Sequence, residues 1–361
     1  VSIFPLPLAI TGATSVCVGS NTVLSNTTLG GTWSASNSNV TVGVSSGVVT
    51  GISPGFSVIT YTSPAGCFVS MTLTVVSTPS VISGPSNVCV GSSIAFSDAT
   101  PGGVWSASNS NVIIGSVSGI LSGVNTGTSI ISYALSSGCF ATTTITIDAL
   151  PSLISGSSNV CVGSSVILSD ATPSGSWSGG GINATITPAT GVVSGISAGM
   201  AVFSYTLPTG CSITTTVIVD PLPTSISGPS GVCVGSGIIL SDASAGGNWS
   251  SSNSNTIIGS VTGIALGVNT GISIITYILP TGCYTTASLV VHPLPLPISG
   301  TSSVCVGFST TLSDPTPGGT WSSSNGNILI GSANGVVTGV TTGLSTVTYT
   351  VGTGCIRTIP I

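Results

Sequence analysis

Residues 103–147 read GVWSASNSNVIIGSVSGILSGVNTGTSIISYALSSGCFATTTITI. Short runs rich in Val and Ile alternate with Ser and Thr and are separated by Gly, Asn or Pro, which is the pattern of short β-strands joined by turns. We predict strands at 93–97, 103–107, 112–114, 119–123, 129–135 and 140–147. No run has helical spacing, and the chain lacks the helix-favouring residues Glu, Lys and Gln. The pattern therefore predicts a small antiparallel β-sandwich.

The same pattern recurs every 72 residues, so the chain contains five copies of one unit. The tryptophans that mark the copies are Trp33, Trp105, Trp177, Trp249 and Trp321, and the tyrosines are Tyr61, Tyr133, Tyr205, Tyr277 and Tyr349. We predict that the tryptophans lie on the third strand and fill the centre of each sandwich, with the tyrosines packed beside them. A ligand-stacking surface is the alternative for the tryptophans.

The period also predicts the domain limits. We place repeats at 5–76, 77–148, 149–220, 221–292 and 293–361, with residues 1–4 as the end of a preceding final strand and the last strand of the fifth repeat truncated. The sequence thus begins and ends at the same position of the repeat, within its final strand. Two interpretations fit this observation: a window cut from a longer polypeptide, or a protomer whose first strand completes the last domain of the next copy by strand addition. Proline-rich linkers at 5–7, 149–151, 221–223 and 293–297 favour an elongated, semi-rigid rod.

The charge content excludes several classes of partner. Only 2% of the residues are charged, namely one Arg and six Asp, and the mean hydropathy is +0.71. A single Arg cannot neutralise a phosphate backbone, so nucleic acid is excluded as a partner. No uninterrupted apolar stretch is long enough to predict a membrane span. A surface of hydroxyls and amides with so little charge favours association between copies of the chain.

The residues around each Trp resemble a known family. The run Trp105-Ser106-Ala107-Ser108-Asn109, followed by Gly119 to Gly123 and an alternating strand, resembles the bacterial immunoglobulin-like group 2 (Big_2-like) repeat. The third repeat departs from the pattern with Gly179-Gly180-Gly181. The resemblance implies five tandem immunoglobulin-like domains of a large bacterial surface adhesin or extracellular filament protein. The Val-Cys-Val-Gly and Gly-Cys elements are similar to modules of giant secreted adhesins and filament proteins of gliding bacteria.

Ten cysteines form two series in phase with the repeat, and such regular spacing in a small β repeat predicts disulfides and an oxidising compartment. The first series is Cys17, Cys89, Cys161, Cys233 and Cys305, and the second is Cys67, Cys139, Cys211, Cys283 and Cys355. The simplest pairing, which we favour, lies inside each repeat: Cys17 with Cys67, Cys89 with Cys139, Cys161 with Cys211, Cys233 with Cys283, and Cys305 with Cys355. In the second repeat, however, Cys89 directly precedes the turn between the first two strands, and Cys139 directly follows the last hairpin turn. These two turns lie at opposite poles of an immunoglobulin sandwich, whereas bridged Cα atoms must come within about 7 Å. The alternative set therefore joins neighbouring repeats, pairing Cys17 with Cys139, Cys89 with Cys211, Cys161 with Cys283 and Cys233 with Cys355.

Nothing in the sequence predicts catalysis, a cofactor or a bound metal. The single histidine, His292, lies beside a linker and outside any Ser-His-Asp set. Zinc would call for C-x-x-C pairs, which the chain lacks. One Asp follows the second strand in four of the repeats, which is too few carboxylates for calcium and favours a turn hydrogen bond. Sequons such as Asn26-Thr27-Thr28 leave glycosylation open.

Three functions fit these observations. The first is a structural role as a disulfide-braced rod in an extracellular filament or in the stalk of an adhesin at the cell surface, with neighbouring copies or further repeats as partners. The second is an adhesive module for glycans or another surface, which would use the Thr-rich final strand at 142–146. The third is the spacer array of a secreted enzyme.

Overall fold

The computed structural model describes residues 2–361, and every regular element in that range is a β-strand. The all-β prediction is therefore confirmed. The strands of the first two repeats are β1 (Ser15–Cys17), β2 (Asn21–Val23), β3 (Thr32–Ala35), β4 (Val40–Val42), β5 (Val48–Gly51), β6 (Gly55–Thr62), β7 (Phe68–Val76), β8 (Asn87–Cys89), β9 (Ser93–Ala95), β10 (Val104–Ala107), β11 (Val112–Ile114), β12 (Ile120–Gly123), β13 (Gly127–Ala134) and β14 (Phe140–Asp148). Those of the third are β15 (Ser155–Gly156), β16 (Asn159–Cys161), β17 (Ser165–Ser169), β18 (Ser176–Gly179), β19 (Ala184–Ile186), β20 (Val192–Gly195), β21 (Gly199–Thr206) and β22 (Ser212–Asp220). Those of the last two are β23 (Gly231–Cys233), β24 (Gly237–Ile239), β25 (Asn248–Ser251), β26 (Thr256–Ile258), β27 (Ile264–Gly267), β28 (Gly271–Ile278), β29 (Tyr284–His292), β30 (Ser309–Thr311), β31 (Thr320–Ser323), β32 (Ile328–Ile330), β33 (Val336–Gly339), β34 (Thr346–Thr350) and β35 (Ile356–Pro360).

The second repeat shows how the strands form two sheets. One sheet has the order β10-β13-β14-β8 and the other β11-β12-β9. Neighbouring strands are antiparallel except for β8, which runs parallel to β14 with Val88 opposite Ile147. The six predicted strands match β9 to β14 to within about two residues at each end, as expected for strong period-2 patterns. Strand β8 ends at Cys89 and is the first strand of the repeat, before the six segments whose bounds were predicted.

This topology is immunoglobulin-like. Strands β9 to β14 take the places of B to G in that fold, where B, E and D share one sheet and C, F and G share the other. Ser83 in the preceding linker pairs with Ser97 after β9, as a first strand does, and Trp105 lies on the strand in position C. The immunoglobulin-like class expected from the sequence therefore follows from the strand order itself.

The other repeats have closely similar sheets. The strand orders are β1-β7-β6-β3 and β2-β5-β4 in the first, β16-β22-β21-β18 and β15-β17-β20-β19 in the third, β23-β29-β28-β25 and β24-β27-β26 in the fourth, and β31-β34-β35 and β30-β33-β32 in the fifth. In the fifth repeat the final strand β35 is five residues long, and residues 303–305 do not form a strand. Residues 2–4 are exposed and also lie outside any strand, while Val1 of the predicted strand end 1–4 lies outside the described residues.

The chain divides into two compact units. The first comprises Val1–Ile154, Asp170–Ser176 and Ser204–Ile213, and the second comprises Ser155–Ser169, Trp177–Phe203 and Thr214–Ile361. The first unit holds the sheets of the first two repeats, and the second holds those of the last two. The third repeat is divided between the units, so the five predicted domain limits stay a prediction.

Each core joins the two sheets of one repeat around the aromatic pair. In the second repeat Trp105 and Tyr133 are each 6% exposed, and their ring centroids are 4.6 Å apart. Leu121 from one sheet and Ile131 and Ile145 from the other are fully buried against them. Burying one such aliphatic side chain is worth about 1.5–3 kcal/mol. Buried pairs at the same positions in the first, fourth and fifth repeats are Trp33–Tyr61, Trp249–Tyr277 and Trp321–Tyr349.

The third repeat keeps the fold with a different core residue. Phe203 is fully buried at the position held by Ile131 in the second repeat and by Ile275 in the fourth. A Cβ atom at Gly180 would lie 2.9 Å from the Phe203 ring and 2.2 Å from the Ala184 carbonyl oxygen. The glycine run that departs from the family pattern therefore makes room for the larger ring.

The linker into the second repeat is fixed to the sandwich that follows it. The backbones of Ser83 and Ser97 exchange two hydrogen bonds of 2.9 Å, and the Ser80 amide donates to Thr100 Oγ1 at 2.9 Å. Ile82 is 8% exposed and belongs to the core of that repeat. One proline near the start of each repeat is likewise buried: Pro7, Pro79, Pro151, Pro223 and Pro295.

Candidate functional site

The sites that recur along the chain are disulfide bridges between consecutive repeats. The bridges are Cys17–Cys139, Cys89–Cys211, Cys161–Cys283 and Cys233–Cys355. Each spans 122 residues, and the Cα atoms lie 5.6–5.7 Å apart. In every case the first cysteine of one repeat is bonded to the second cysteine of the next repeat.

The favoured prediction, a bridge inside each repeat, is wrong for all five pairs, and the alternative set between neighbouring repeats is the one that forms. Within the second repeat Cys89 lies opposite Asp148, the last residue of β14, whereas Cys139 immediately precedes Phe140, the first residue of that strand. Nine extended residues span about 30 Å. A disulfide tolerates a Cα separation of only about 7 Å, so Cys139 can meet only a cysteine outside its own repeat.

The first cysteine of each repeat lies where the chain crosses from one sheet to the other. In the second repeat, Val88 pairs with Ile147 in one sheet, and Val90 forms a parallel bridge to Gly123 in the other. The crossing is tight, because a Cβ atom on Gly123 would lie 2.8 Å from the Cys89 carbonyl oxygen. Val88 is 4% exposed and anchors the crossing in the core. The Val-Cys-Val-Gly motif therefore fixes the Cys89 sulfur at the end of the sandwich.

The second cysteine lies at the opposite end of its repeat, directly after a hairpin turn. The Leu135 amide donates to the Cys139 carbonyl oxygen at 2.9 Å, and the Gly138 amide donates to Leu135 at 2.9 Å. Gly138 has φ = 84°, a conformation that suits glycine, and this explains the Gly-Cys pair. The bonded cysteines Cys139, Cys211, Cys283 and Cys355 are at most 1% exposed.

Side chains next to the first-series cysteines make further contacts beside the bridges. Asn87 donates to the Asp148 carboxylate at 2.8 Å and to the Thr209 carbonyl oxygen of the next repeat at 3.1 Å, beside Cys211. In the fourth repeat a glycine replaces the Asn and a histidine replaces the Asp. A Cβ atom on Gly231 would lie 2.7 Å from His292 Nε2, so the half-buried imidazole packs over the glycine.

Two of the ten predicted disulfide cysteines are unpaired in the chain. Cys67 is half-buried and Cys305 is exposed. They are the second cysteine of the first repeat and the first cysteine of the fifth.

The recurring tyrosine hydroxyls are held in the turn before the third strand. Tyr133 Oη donates to the Thr100 carbonyl oxygen at 2.7 Å and accepts from the Gly103 amide at 2.9 Å. The same two partners occur in the third repeat, where Tyr205 is 7% exposed and Trp177 5% exposed. These aromatic side chains therefore lie in the interior of the repeats.

The recurring acidic side chains are used in turns. Asp98 Oδ1 accepts the Thr100 amide at 2.7 Å, and Asp242 Oδ1 accepts the Ser244 amide at 2.8 Å. Asn26 does the same in the first repeat with the Thr28 amide. The turn prediction for this series is confirmed.

Among residues 2–361, no group of three or more His, Cys, Asp or Glu side chains could hold a metal ion. The same range has no helix long and apolar enough to cross a bilayer.

Comparisons with known proteins give structural resemblances alone. No protein-family model matches the chain, and no curated protein matches it either. Among solved structures, invasin, described as a bacterial integrin-binding protein, has 13% identity and a TM-score of 0.32 over 83% of this chain and 82% of its own. An intimin fragment in complex with the intimin-binding domain of its translocated receptor has 15% identity and a TM-score of 0.28 over 41% of this chain and 67% of its own. The S-layer protein SbsC has 13% identity and a TM-score of 0.20 over 98% of this chain and 66% of its own. These values are too low to assign the chain to the family of any of these proteins.

Proposed function

We propose that this chain is a structural protein, a tandem immunoglobulin-like rod that carries tension in an extracellular filament or in the stalk of a surface adhesin. The observation that supports this proposal is the stagger of the bridges. Each one joins a repeat to its neighbour, so consecutive repeats are connected twice, once by the linker and once by a disulfide.

The stagger creates two covalent paths along the chain. The first path runs through Cys17, Cys139, Cys161, Cys283 and Cys305, and the second runs through Cys67, Cys89, Cys211, Cys233 and Cys355. Residues 90–138, 162–210 and 234–282 lie on neither path. These bypassed segments contain Trp105, Trp177 and Trp249. A pulling force is therefore carried by the short segments between cysteines, and the bypassed segments cannot be drawn out into extended chain while the bridges hold.

The compartment and the surface agree with this role. Structural disulfides persist in oxidising surroundings, which favours an extracellular location. With 2% charged residues, the surface offers hydroxyl and amide groups and little electrostatic repulsion between copies. We include in the same proposal the Big_2-like family and a bacterial origin, which rest on the sequence resemblance, and a role other than catalysis. The last of these is supported by the recurring Asp side chains, which are engaged in turn hydrogen bonds.

Single-molecule extension of the chain between its two ends tests the proposal. With all four bridges intact, the shortest covalent route contains about 120 residues, or about 400 Å when extended, against about 1,300 Å for the reduced chain. The variant Cys89→Ser/Cys211→Ser opens the second path alone and should still extend to about 400 Å, because the first path is complete.

Removing the two outer bridges provides the contrast. Without Cys17–Cys139 and Cys233–Cys355, both paths are interrupted, and the shortest route grows to about 220 residues, or about 800 Å. Extension of the oxidised parent chain to the length of the reduced chain would overturn the proposal. So would a large gain in length from the Cys89–Cys211 deletion, because it would show that the paths are not redundant.

A further inference from the structure

We propose that a cleft beside the recurring tryptophan binds a neutral oligosaccharide, and that the indole N–H of the tryptophan donates a hydrogen bond to a sugar hydroxyl. The inference goes beyond the load-bearing role and does not depend on it. Such clefts are present in the first and the fifth repeats. Neither includes a residue of the final strands β7 and β35, so this site is separate from the Thr-rich final strand considered in the sequence analysis.

The cleft lies between two turns of one repeat. In the fifth repeat it has a volume of about 480 Å³ and opens between the turn that joins β30 to β31 and the turn that joins β32 to β33. All of its lining residues lie between 311 and 349, so the repeat forms the cleft by itself. The equivalent cleft of the first repeat has a volume of about 550 Å³. Both volumes fall within the range of about 300–1,000 Å³ that small-ligand sites occupy.

The indole N–H is an unused donor beside this cleft. Trp33 is 6% exposed and Trp321 is 7% exposed, and both line their clefts. The Nε1 atom of neither side chain forms a hydrogen bond with any residue in the described part of the chain, yet neither nitrogen is enclosed by protein. Because a buried indole N–H normally has a hydrogen-bond partner, this donor is free to bind an acceptor that enters the cleft.

The nitrogen edge of the indole faces the turn that forms one wall of the cleft. A Cβ atom on Gly335 would lie 3.1 Å from Trp321 Nε1 and 2.3 Å from the Leu312 carbonyl oxygen, so only glycine lets the backbone pass this close. The neighbouring residue Asn334 lines the cleft. Gly47 lies at the same distance from Trp33 Nε1 in the first repeat. A ligand seated in the cleft therefore meets the indole N–H next to this turn.

The hydroxyls around the cleft favour a sugar. Thr320 and Ser332 line the cleft of the fifth repeat, and Thr32 and Ser45 line that of the first. Their side-chain hydroxyls form no hydrogen bond with the described residues. A Ser or Thr hydroxyl can donate or accept, and sugar hydroxyls can do the same. A ligand rich in hydroxyls therefore matches both the indole donor and the surrounding Ser and Thr side chains.

The charges indicate that the ligand is neutral. The only basic residue in the chain, Arg357, lines neither cleft, so nothing there compensates a negative charge. Asp314 lines the cleft of the fifth repeat, whereas the uncharged Asn26 takes its place in the first. A positive charge is therefore not matched in both clefts. Uncharged hexose or N-acetylhexosamine units fit the features that the two clefts share.

Repetition of the cleft along one chain strengthens binding to a polymer. In the second and fourth repeats, the Nε1 atoms of Trp105 and Trp249 also lack a hydrogen-bond partner among the described residues. Once one cleft holds a polysaccharide, the next binding event on the same polymer becomes intramolecular. Weak contacts at single clefts would therefore add up to firm attachment to a polysaccharide surface.

The test follows the indole N–H groups directly. The oxidised 361-residue chain with isotope-labelled tryptophan is titrated with maltohexaose, cellohexaose, mannohexaose and chitohexaose, and proton–nitrogen correlation spectra are recorded. The indole signals of Trp33 and Trp321 are assigned from the signal lost in Trp33→Phe and in Trp321→Phe. We expect at least one of these sugars to shift both signals in a saturable manner. A galacturonic acid hexamer and a Gly-Ser hexapeptide should leave them unchanged.

Two blocking variants localise the binding. Ala333 and Ser45 are exposed at equivalent positions of the two clefts, so a larger side chain at either position leaves the core intact. Ala333→Tyr should abolish the sugar-induced shift of Trp321 and leave that of Trp33, whereas Ser45→Tyr should do the reverse. Each variant is thus the matched control for the other.

Three results would overturn the site: no response to any of the four sugars, a response to the peptide or the acidic sugar alone, or unchanged shifts in both blocking variants. None of these results alters the two-path extension expected of the chain. Failure of sugar binding and failure of the load-bearing role are therefore distinguishable.

Discussion

At the residue scale, each repeat depends on a glycine and a tyrosine that need one another. A Cβ atom on Gly103 would lie 2.4 Å from the Tyr133 ring, so only glycine lets the ring pass under the turn. From there the hydroxyl donates to Thr100 and accepts from the Gly103 amide. The hydroxyl thus satisfies two backbone groups at the end of the core. The 72-residue period shows that the tyrosine recurs, but it does not reveal these partners.

Replacing Tyr133 with Phe should therefore loosen this turn. The substitution keeps the ring but leaves the Gly103 amide and the Thr100 carbonyl oxygen unpaired, at a cost of about 1–2 kcal/mol. Hydrogen exchange at residues 100–105 should accelerate about five- to thirtyfold. Tyr284→Phe is the matched control, because Tyr284 is 59% exposed on β29 and its loss should leave exchange unchanged. Equal exchange in both variants would contradict the role given to the hydroxyl.

At the element scale, strands and bridges differ in how far the sequence predicts them. Strands β9 to β14 follow from alternation and turn residues, because both signals are local. Strand β8 has three residues, and its parallel pairing with β14 joins segments about 60 residues apart, which no local pattern specifies. The disulfide pairing depends on this same contact, because the parallel pairing places Cys89 beside Asp148, at the end of β14 opposite to Cys139. The length of the final strand was predicted at 140–147, but the position of Cys89 along it was not.

The parallel strand should control the bridge that follows it. Val88→Ala removes two buried methyl groups and should destabilise the pairing of β8 with β14 by about 1–3 kcal/mol. The bridge Cys89–Cys211 should then be reduced by dithiothreitol several times faster, while Cys161–Cys283 keeps its rate, as measured by alkylation and mass spectrometry. Val117→Ala is the control, since Val117 is 89% exposed. Unchanged reduction of Cys89–Cys211 would show that the bridge does not depend on β8.

At the scale of the whole molecule, the stagger makes the chain tolerant of a break. Every peptide bond between Cys17 and Cys355 is spanned by at least one of the four bridges. Disulfides confined to single repeats would leave the linkers unprotected, and one cleavage there would separate the array. Periodicity predicts identical modules, but whether those modules are independent or covalently interlocked depends on which cysteines meet across the junctions.

Cleavage of a linker provides the test of this interlocking. The chain has one basic residue, Arg357, so Val81→Arg places one new trypsin site in the exposed linker between the first two repeats. After digestion in mild denaturant, the two fragments should stay together without reductant, because Cys17–Cys139 spans the cut, and should separate when reductant is added. The same site in Cys17→Ser/Cys139→Ser should release the fragments without reductant, since no other bridge crosses residue 81. Release of the two fragments from the chain that keeps both cysteines would show that the first two repeats are joined by the linker alone. It would contradict the second covalent connection, the bridge Cys17–Cys139.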